Sequence, residues 1–177
     1  MMFKHFIPDV YCRDIYELDA AALRSRGIRA LICDIDNTLV PYEEAEPTPA
    51  VLRWLKELEQ AGIRVSFVSN NDADRVERFN APLGFFATSK SGKPFGRCLR
   101  AAMAAMESTP ADTAMLGDQI FTDVLAGRLA GMRCLLVEPI RDKTTLFFRF
   151  KRWLERPLLA IYRRRHPEPP DETLRRI

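Results

Sequence analysis

Short apolar runs alternate with amphipathic helical segments along this chain of 177 residues, and this alternation constrains the fold more than any other feature. Short apolar runs bounded by polar residues are typical of buried strands, while apolar residues three and four positions apart are typical of helices packed on a sheet. The predicted strands are IRALICDI, IRVSFVSN, FFAT, TAMLGD and MRCLLVEP. Strands that alternate with helices predict an α/β domain with a parallel sheet and helices on both faces.

Helix-start and helix-stop signals separate these strands. Residues 14–26 are predicted as one helix, with Gly27 at its C-cap. Pro49 is predicted to open a second helix, and Gly62 to end it. The later predicted helices lie in DADRVERFNAPLG, GRCLRAAMAAMES and IFTDVLAGRLAG.

Composition narrows the class of protein. The hydrophobic content of 47% is ordinary for a globular chain. The four cysteines, Cys12, Cys33, Cys98 and Cys134, are far apart with no CxxC spacing, so we expect reduced thiols rather than a disulfide framework or a zinc site. No apolar run has the length of a signal peptide or a membrane span, so we expect a cytoplasmic protein.

The basic charge is concentrated at one end of the chain. Residues 1–140, the predicted catalytic domain, hold 16 basic and 19 acidic residues, whereas the appended segment 141–177 holds 11 basic and 5 acidic ones. We therefore expect no nucleic-acid partner, and instead an anionic partner for the C-terminal segment. The sequence leaves the oligomeric state open.

The C-terminal segment contains a predicted amphipathic helix, which Pro157 should kink or divide. Two interpretations remain open: a helix docked on the domain, or a helix over residues 144–165 that lies on an anionic membrane surface. Its predicted apolar side consists of Phe147, Phe150, Leu154, Leu158 and Ile161.

Polar side chains follow several of the predicted strands at the point where each strand ends. Asp34 and Asp36 follow the first strand, Ser69, Asn70 and Asn71 the second, and Asp118 a later one. Ligands of parallel α/β folds bind beyond the carboxyl ends of the strands, near the point where strand order reverses. We therefore expect these side chains to converge on one site.

Carboxylates in such a site favour a particular chemistry. One aspartate can act as a nucleophile, and a second one two residues later lies on the same side of an extended chain, where it can transfer a proton. Asp34 and Asp36 have this spacing. Together with Asp118 and Asp123 they would place several negative charges close together, and these charges would repel one another. Mg²⁺ relieves such repulsion, so phosphoryl transfer through an aspartyl phosphate is the reaction class that we expect.

Four short motifs in order carry a family resemblance. D-I-D-N-T at 34–38, S-N-N at 69–71, K-P at 93–94 and G-D-Q-I-F-T-D at 117–123 resemble the motifs of haloacid dehalogenase (HAD) superfamily phosphatases. P-D-V-Y near the N-terminus and G-I-R before the first motif are similar to the YqeG-like group of subclass IIIA. The resemblance implies a single Rossmann-like domain, a Mg²⁺ cofactor and hydrolysis of phosphate monoesters.

The resemblance also implies roles for individual residues. Asp34 would be the nucleophile and a metal ligand, and Asp36 the general acid and base, with its backbone carbonyl on the metal. Thr38 would orient Asp36, and Ser69 and Asn70 would bind the phosphoryl oxygens. The remaining implied residues are Lys93, which would neutralise charge, and the metal-site residues Asp118 and Asp123.

Two points stay open in the sequence. Lys90 and Lys93 compete for one role, and Lys93 is preferred because Pro94 follows it. A phospho-receiver module also combines acidic residues with a lysine, but it needs no acid two residues after its acceptor, so Asp36 argues against it.

The short spacing of the motifs leaves no room for a cap domain, which favours a phosphate displayed on a large substrate. Relatives in the YqeG-like group imply phosphatidylglycerophosphate, on the route to phospholipids. A soluble or protein-borne phosphate monoester is the alternative.

Overall fold

A computed structural model describes residues 4–95, 97–141 and 146–166, and its centre is a parallel sheet of six strands. The strand order is β1-β6-β5-β2-β3-β4, and every neighbouring pair is parallel. The parallel α/β architecture predicted from the alternating pattern is confirmed. The strands are β1 (Val10–Cys12), β2 (Ala30–Cys33), β3 (Arg64–Val68), β4 (Phe86–Thr88), β5 (Thr113–Gly117) and β6 (Arg133–Val137).

Helices connect the strands and cover both faces of the sheet. The residues of β2 show this division, because Leu31 and Cys33 belong to one apolar core while Ala30 and Ile32 belong to the other. Trp54 of α2 (Pro49–Gln60) packs in the first core and Met103 of α4 (Arg97–Ala105) in the second. The helices are α1 (Ala20–Ser25), α2 (Pro49–Gln60), α3 (Ala73–Asn80), α4 (Arg97–Ala105), α5 (Leu125–Leu129) and α6 (Leu146–Arg165).

The order of the strands determines where a site can form. Strand β2 lies between β3 and β5, so the chain leaves β2 toward one side of the sheet and later returns on the other. The backbone N–H of Asp34 donates to the carbonyl of Leu116 at 2.9 Å, which extends the β2–β5 pairing to the first aspartate of the motif. The carboxyl ends of β2, β3 and β5 therefore meet at the reversal of strand order.

In the N-terminal part of the chain, one prediction is wrong and one strand was not predicted. Residues 14–26 form a 3₁₀ turn (Ile15–Glu17) and then α1, not one helix, because the carboxylates of Asp14 and Asp19 each cap a separate helical start. Strand β1 was not predicted, since three residues are too few for a periodic pattern. It is defined by its pairing with β6.

The C-terminal helix α6 docks on the domain. Leu158 and Tyr162 pack with Ile7 of the N-terminal segment, and the backbone N–H of Tyr11 in β1 donates to the Tyr162 hydroxyl at 3.1 Å. For the described helix Leu146–Arg165, this contact agrees with the docked interpretation of the two that the sequence left open. The helix runs through Pro157 without division.

The buried side of α6 differs from the predicted apolar stripe. Leu154 is exposed, while Glu155 is buried together with Leu158 and Tyr162. The described part of the protein does not include the side chains of Phe147 and Phe150. It also leaves out residues 142–145, which contain the first two residues of the predicted membrane segment.

Two further findings bear on the class of protein. Within residues 4–95, 97–141 and 146–166, no helix combines the length and the apolar character needed to cross a bilayer. All four cysteines are free thiols, as the sequence predicted, and Cys12, Cys33 and Cys134 are buried.

The docking of α6 generates a prediction about stability. Leu158 is 6% exposed and Leu154 is 38% exposed on the same helix. Leu158→Ala should lower the free energy of unfolding by about 2–4 kcal/mol because it leaves a cavity against Ile7. Leu154→Ala is the matched control and should change it by about 0.5 kcal/mol or less. Urea unfolding of both variants measures the difference, and equal effects would contradict the docking.

Candidate active site

Three carboxylates converge at the carboxyl edge of the sheet. Asp34 follows β2, Asp118 follows β5, and Asp123 lies in the π-helical turn Ile120–Val124 that precedes α5. One carboxylate oxygen from each lies within 4.8 Å of the others, and all three residues are buried. The structure therefore brings together three of the four aspartates that the motifs singled out, and each offers a carboxylate oxygen as a ligand.

Lys93 carries positive charge into this cluster. Its Nζ donates to Asp34 Oδ1 at 2.7 Å and forms an ion pair with Asp123 Oδ1, also at 2.7 Å. The Lys93 side chain is almost completely buried. Lys90, the other candidate from the sequence, is exposed. The geometry therefore favours Lys93 as the lysine of the site.

A close backbone approach positions Asp123. A Cβ atom added to Gly117 would lie 2.3 Å from Asp123 Cγ, so only glycine leaves room for this carboxylate. Asp123 Oδ2 accepts a hydrogen bond from the backbone N–H of Gln119 at 3.1 Å. In the same turn, the backbone N–H of Ile120 donates to Glu155 Oε1 at 3.1 Å. The C-terminal helix thus contacts the turn that presents Asp123.

Asp36 lies beside the cluster but has its own set of donors. Asn71 Nδ2 donates to Oδ2 at 3.1 Å, and the Ser69 hydroxyl lies 3.5 Å from the same oxygen. Arg75 Nε donates to Oδ1 at 3.2 Å. Arg75 Nη2 lies 3.1 Å from Oδ1 as well, an ion-pair contact outside hydrogen-bond alignment. Asp36 is therefore paired with a cation other than Lys93.

The loop after β3 is connected to the loop that carries Lys93. The side-chain oxygen of Asn70 accepts from the Ser91 hydroxyl at 2.6 Å and from the backbone N–H of Lys93 at 3.0 Å. The Ser69 hydroxyl accepts from the backbone N–H of Asn71 at 3.1 Å. Both residues that the resemblance implies for phosphate binding therefore lie at this edge, and Asn70 also positions the lysine loop.

Thr38 is buried near the site, but its contacts differ from the implied role. Within the described part of the chain, its hydroxyl has no hydrogen-bond partner, and Asp36 is held by Arg75 and Asn71 instead. The structure therefore provides no contact through which the Thr38 hydroxyl orients Asp36.

Burial and neighbouring charge change the acidity of the cluster. Burial raises the pKa of Asp34 to about 6, because the Lys93 ammonium opposes this shift only in part and Asp123 adds to it. Burial alone would lower the pKa of Lys93, but the carboxylates of Asp123 and Asp34 outweigh it and raise that pKa. The lysine is therefore held as the charged ammonium.

The cluster fits a hard divalent cation. Asp34, Asp118 and Asp123 can bring three negative charges, while Lys93 brings one positive charge. A divalent cation balances the remaining charge, and carboxylate oxygens are the donors that Mg²⁺ prefers.

Several residues of this site were not predicted from the sequence. Arg75 of α3 contacts Asp36, which is 39 residues away in the sequence. Glu155 of α6 contacts Ile120, which is 35 residues away. A local sequence pattern does not reveal contacts of such separation. Gly117 was recognised only as part of a motif. Its position directly before Asp118, at the end of an apolar strand, is the available signal for a close backbone approach.

Comparison with known proteins identifies the family. Residues 4–131 match the model of the protein family described as haloacid dehalogenase-like hydrolase. This chain belongs to that family. The family resemblance read from the four motifs is thus confirmed.

Relatives with phosphatase names refine this assignment, and the chain is a phosphatase of the family. It is 36% identical over 165 residues to "Probable phosphatase YqeG" of Bacillus subtilis (strain 168), covering 93% of this chain and 96% of that protein. It is 27% identical to phosphatidylglycerophosphate phosphatase 1 of Arabidopsis thaliana, covering 95% of this chain and 51% of that protein. The chain thus spans about half of the plant protein.

A solved structure supports the fold. The cobalt-bound deoxy-D-mannose-octulosonate 8-phosphate phosphatase of Haemophilus influenzae superposes with a TM-score of 0.52 over 80% of this chain and 91% of that chain. The sequence identity is 18%, so this likeness shows the fold alone.

The raised pKa of Asp34 generates a prediction about stability. The folded protein holds the Asp34 proton more tightly than the unfolded chain, whose aspartates titrate near about 4. The free energy of unfolding of the metal-free protein should therefore fall as pH rises from that value to about 6, the pKa of folded Asp34. Asp34→Asn removes this cost and should stabilise the protein at pH 7 by about 1–3 kcal/mol.

Urea unfolding with a chelator at pH 5 and pH 7 measures this effect. Asp74→Asn, which changes an exposed carboxylate on α3, is the matched control and should have little effect. A variant Asp34→Asn less stable than the wild type at pH 7 would contradict the assigned cost of the buried charge.

Proposed function

We propose that this protein is a Mg²⁺-dependent phosphomonoesterase that acts through an aspartyl phosphate, with phosphatidylglycerophosphate as its substrate. One observation carries the proposal: the Lys93 ammonium lies 2.7 Å from both Asp34 and Asp123, in the cluster that also contains Asp118. A phosphoryl group is transferred mainly by positioning and charge stabilisation, and this cluster supplies a nucleophile beside a fixed cation.

In the first step, the Asp34 carboxylate attacks phosphorus while the bond from phosphorus to the alcohol oxygen breaks. Asp36 enters this step as the protonated acid and gives its proton to that oxygen, so the alcohol leaves neutral and Asp36 becomes a carboxylate. Lys93 offsets negative charge on the resulting aspartyl phosphate, and Ser69 and the backbone of Asn70 hold phosphoryl oxygens at the end of β3.

In the second step, Asp36 takes a proton from water as the water oxygen attacks phosphorus. Phosphate leaves and the Asp34 carboxylate is restored. Asp34, Asp118 and Asp123, with the backbone carbonyl of Asp36, would hold Mg²⁺. When bound, the ion supplies charge neutralisation between these carboxylates and the phosphoryl oxygens.

The connections around the site favour a large substrate. In the described residues from 34 to 118, each connection between strands contains one helix, and none contains an inserted domain. Apolar side chains are exposed at this edge: Phe95, in the loop after Lys93, is 77% exposed, and Tyr42 and Ile140 are also exposed. An open edge with exposed apolar groups fits a phosphate that projects from a lipid surface.

The names of two related proteins support a lipid phosphate as the substrate. The relative from Arabidopsis thaliana named phosphatidylglycerophosphate phosphatase 1 aligns over 95% of this chain, and a similarly named protein of Chlamydomonas reinhardtii is 31% identical over 148 residues. A soluble or protein-borne phosphate monoester is the alternative substrate class that the experiment below separates.

The outer side of α6 fits a peripheral contact with an anionic membrane. Leu158 and Tyr162 face the domain, whereas Trp153 is 60% exposed and Arg156 and Arg164 are exposed. Exposed arginines beside an aromatic side chain suit anionic headgroups at about 1 kcal/mol for each arginine near the surface. The membrane contact predicted for residues 144–165 is therefore proposed for the outer side of a docked helix.

A substrate panel tests the proposed function. Purified protein with Mg²⁺ should release phosphate from phosphatidylglycerophosphate in mixed micelles faster than from soluble monoesters or a phosphopeptide, because the open site suits a displayed phosphate. Asp34→Asn should reduce turnover at least a hundredfold. Asp74→Asn is the control with unchanged activity. Preference for a soluble monoester or the phosphopeptide would select the alternative, and turnover that survives Asp34→Asn would refute the nucleophile.

Divalent-cation binding should distinguish two of the aspartates. Mg²⁺ should raise the unfolding temperature of the wild type because it relieves repulsion in the buried cluster. Asp118→Asn should weaken this effect tenfold or more in Mg²⁺ concentration, while Asp36→Asn should largely retain it, since Asp36 would offer its backbone carbonyl. Thermal unfolding across a Mg²⁺ titration measures the two midpoints. Identical midpoints for both variants would contradict the division of roles.

A further inference from the structure

Arg75 is a largely buried cation beside Asp36, and no sequence motif singled it out. The side chain of Arg75 is 12% exposed and that of Asp36 is 9% exposed. Nε donates to Asp36 Oδ1 at 3.2 Å, and Nη2 lies 3.1 Å from the same oxygen. Asn71 holds the other carboxylate oxygen at 3.1 Å. Both oxygens of Asp36 are therefore restrained by donors from the α3 side of the site.

The position of Arg75 is itself fixed by several contacts. Its backbone N–H donates to the carboxylate of Asp72, the N-cap of α3, at 2.9 Å. Its guanidinium lies 5.9 Å from the centre of the Phe79 ring. Nη1 donates to the backbone carbonyl of Ala45 at 2.9 Å. The arginine thus joins α3, the loop that contains Ala45, and the Asp36 carboxylate.

Stability alone is a weak reason for such a pair. Moving two charges into the protein interior costs several kcal/mol per ion, and attraction between them repays this cost only with good geometry. A proton donor, by contrast, works only if its carboxyl group is within hydrogen-bond reach of the leaving oxygen. The planar guanidinium holds Asp36 through Nε while Nη1 is held by the Ala45 carbonyl, and a single ammonium lacks this fixed spacing of donors.

We propose that Arg75 is a positioning residue that aims the Asp36 carboxyl group at the oxygen of the leaving alcohol. The inference rests on the proposed function, because it assigns proton transfer to Asp36. The contact of Arg75 within the site is with the Asp36 carboxylate. Arg75 acts through Asp36, and its loss therefore impairs protonation of the leaving group more than attack by Asp34.

This role has a chemical signature. A strongly basic leaving group needs the proton from Asp36, whereas p-nitrophenolate leaves readily as an anion. Substituted phenyl phosphates vary this basicity with little change in shape. If the Asp36 carboxyl group is no longer held in position, kcat/KM should therefore depend more steeply on leaving-group basicity. A general loss of folding would lower all rates in parallel.

The experiment measures kcat/KM for a series from phenyl phosphate to p-nitrophenyl phosphate. Arg75→Gln should lose at least tenfold more activity on phenyl phosphate than on p-nitrophenyl phosphate, and Asp36→Asn should show the same pattern. Arg75→Lys keeps the positive charge but lacks the planar guanidinium. Its kcat/KM should depend on leaving-group basicity with a slope between those of the wild type and Arg75→Gln. Arg78→Gln changes an exposed arginine on the same helix and should leave the slope and rates unchanged.

The outcomes separate this inference from the proposed function. A wild type without turnover of any phosphate ester refutes the proposed function and the inference with it. An active wild type whose Arg75→Gln and Arg75→Lys variants lose activity equally across the series, or lose none, refutes the positioning role alone. Thermal unfolding of each variant identifies a folding defect, and Arg75→Lys then decides the question through its slope.

Discussion

The contact between the Lys93 ammonium and the carboxylates of Asp34 and Asp123 is the interaction on which the rest of the site depends. Burial of an ammonium is costly unless it is paired, and a cation between two buried carboxylates reduces their mutual repulsion. Each of these charges therefore determines where the others can lie. Because they come from three distant parts of the chain, the segments that follow β2, β4 and β5 must lie together for the cluster to form.

A second ion pair divides the site into two parts. Asp36 is paired with Arg75 on α3, while Asp34 is paired with Lys93. Two carboxylates two residues apart thus experience different cations and different donors. Environments of this kind allow neighbouring carboxylates to serve different purposes in one reaction. The difference arises from the elements that surround β2, since both aspartates belong to the same short motif.

The C-terminal helix is also connected to the site. Glu155 accepts a hydrogen bond from Ile120 in the turn that presents Asp123, and Tyr162 accepts one from the edge strand β1. The same helix exposes Trp153 on its outer side. The helix that exposes Trp153 to the surface is therefore hydrogen-bonded, through Glu155, to the turn that presents Asp123.

The sequence by itself determined the alternation of strands and helices, the polar ends of the strands and the order of the motifs, because these are local patterns in the chain. Only the tertiary structure decided that Lys93 rather than Lys90 enters the cluster, that Arg75 holds Asp36, and that α6 docks on the domain. It also revealed strand β1 through pairing with β6. Each of these depends on contacts between residues far apart in sequence, and no local periodicity or propensity encodes such contacts.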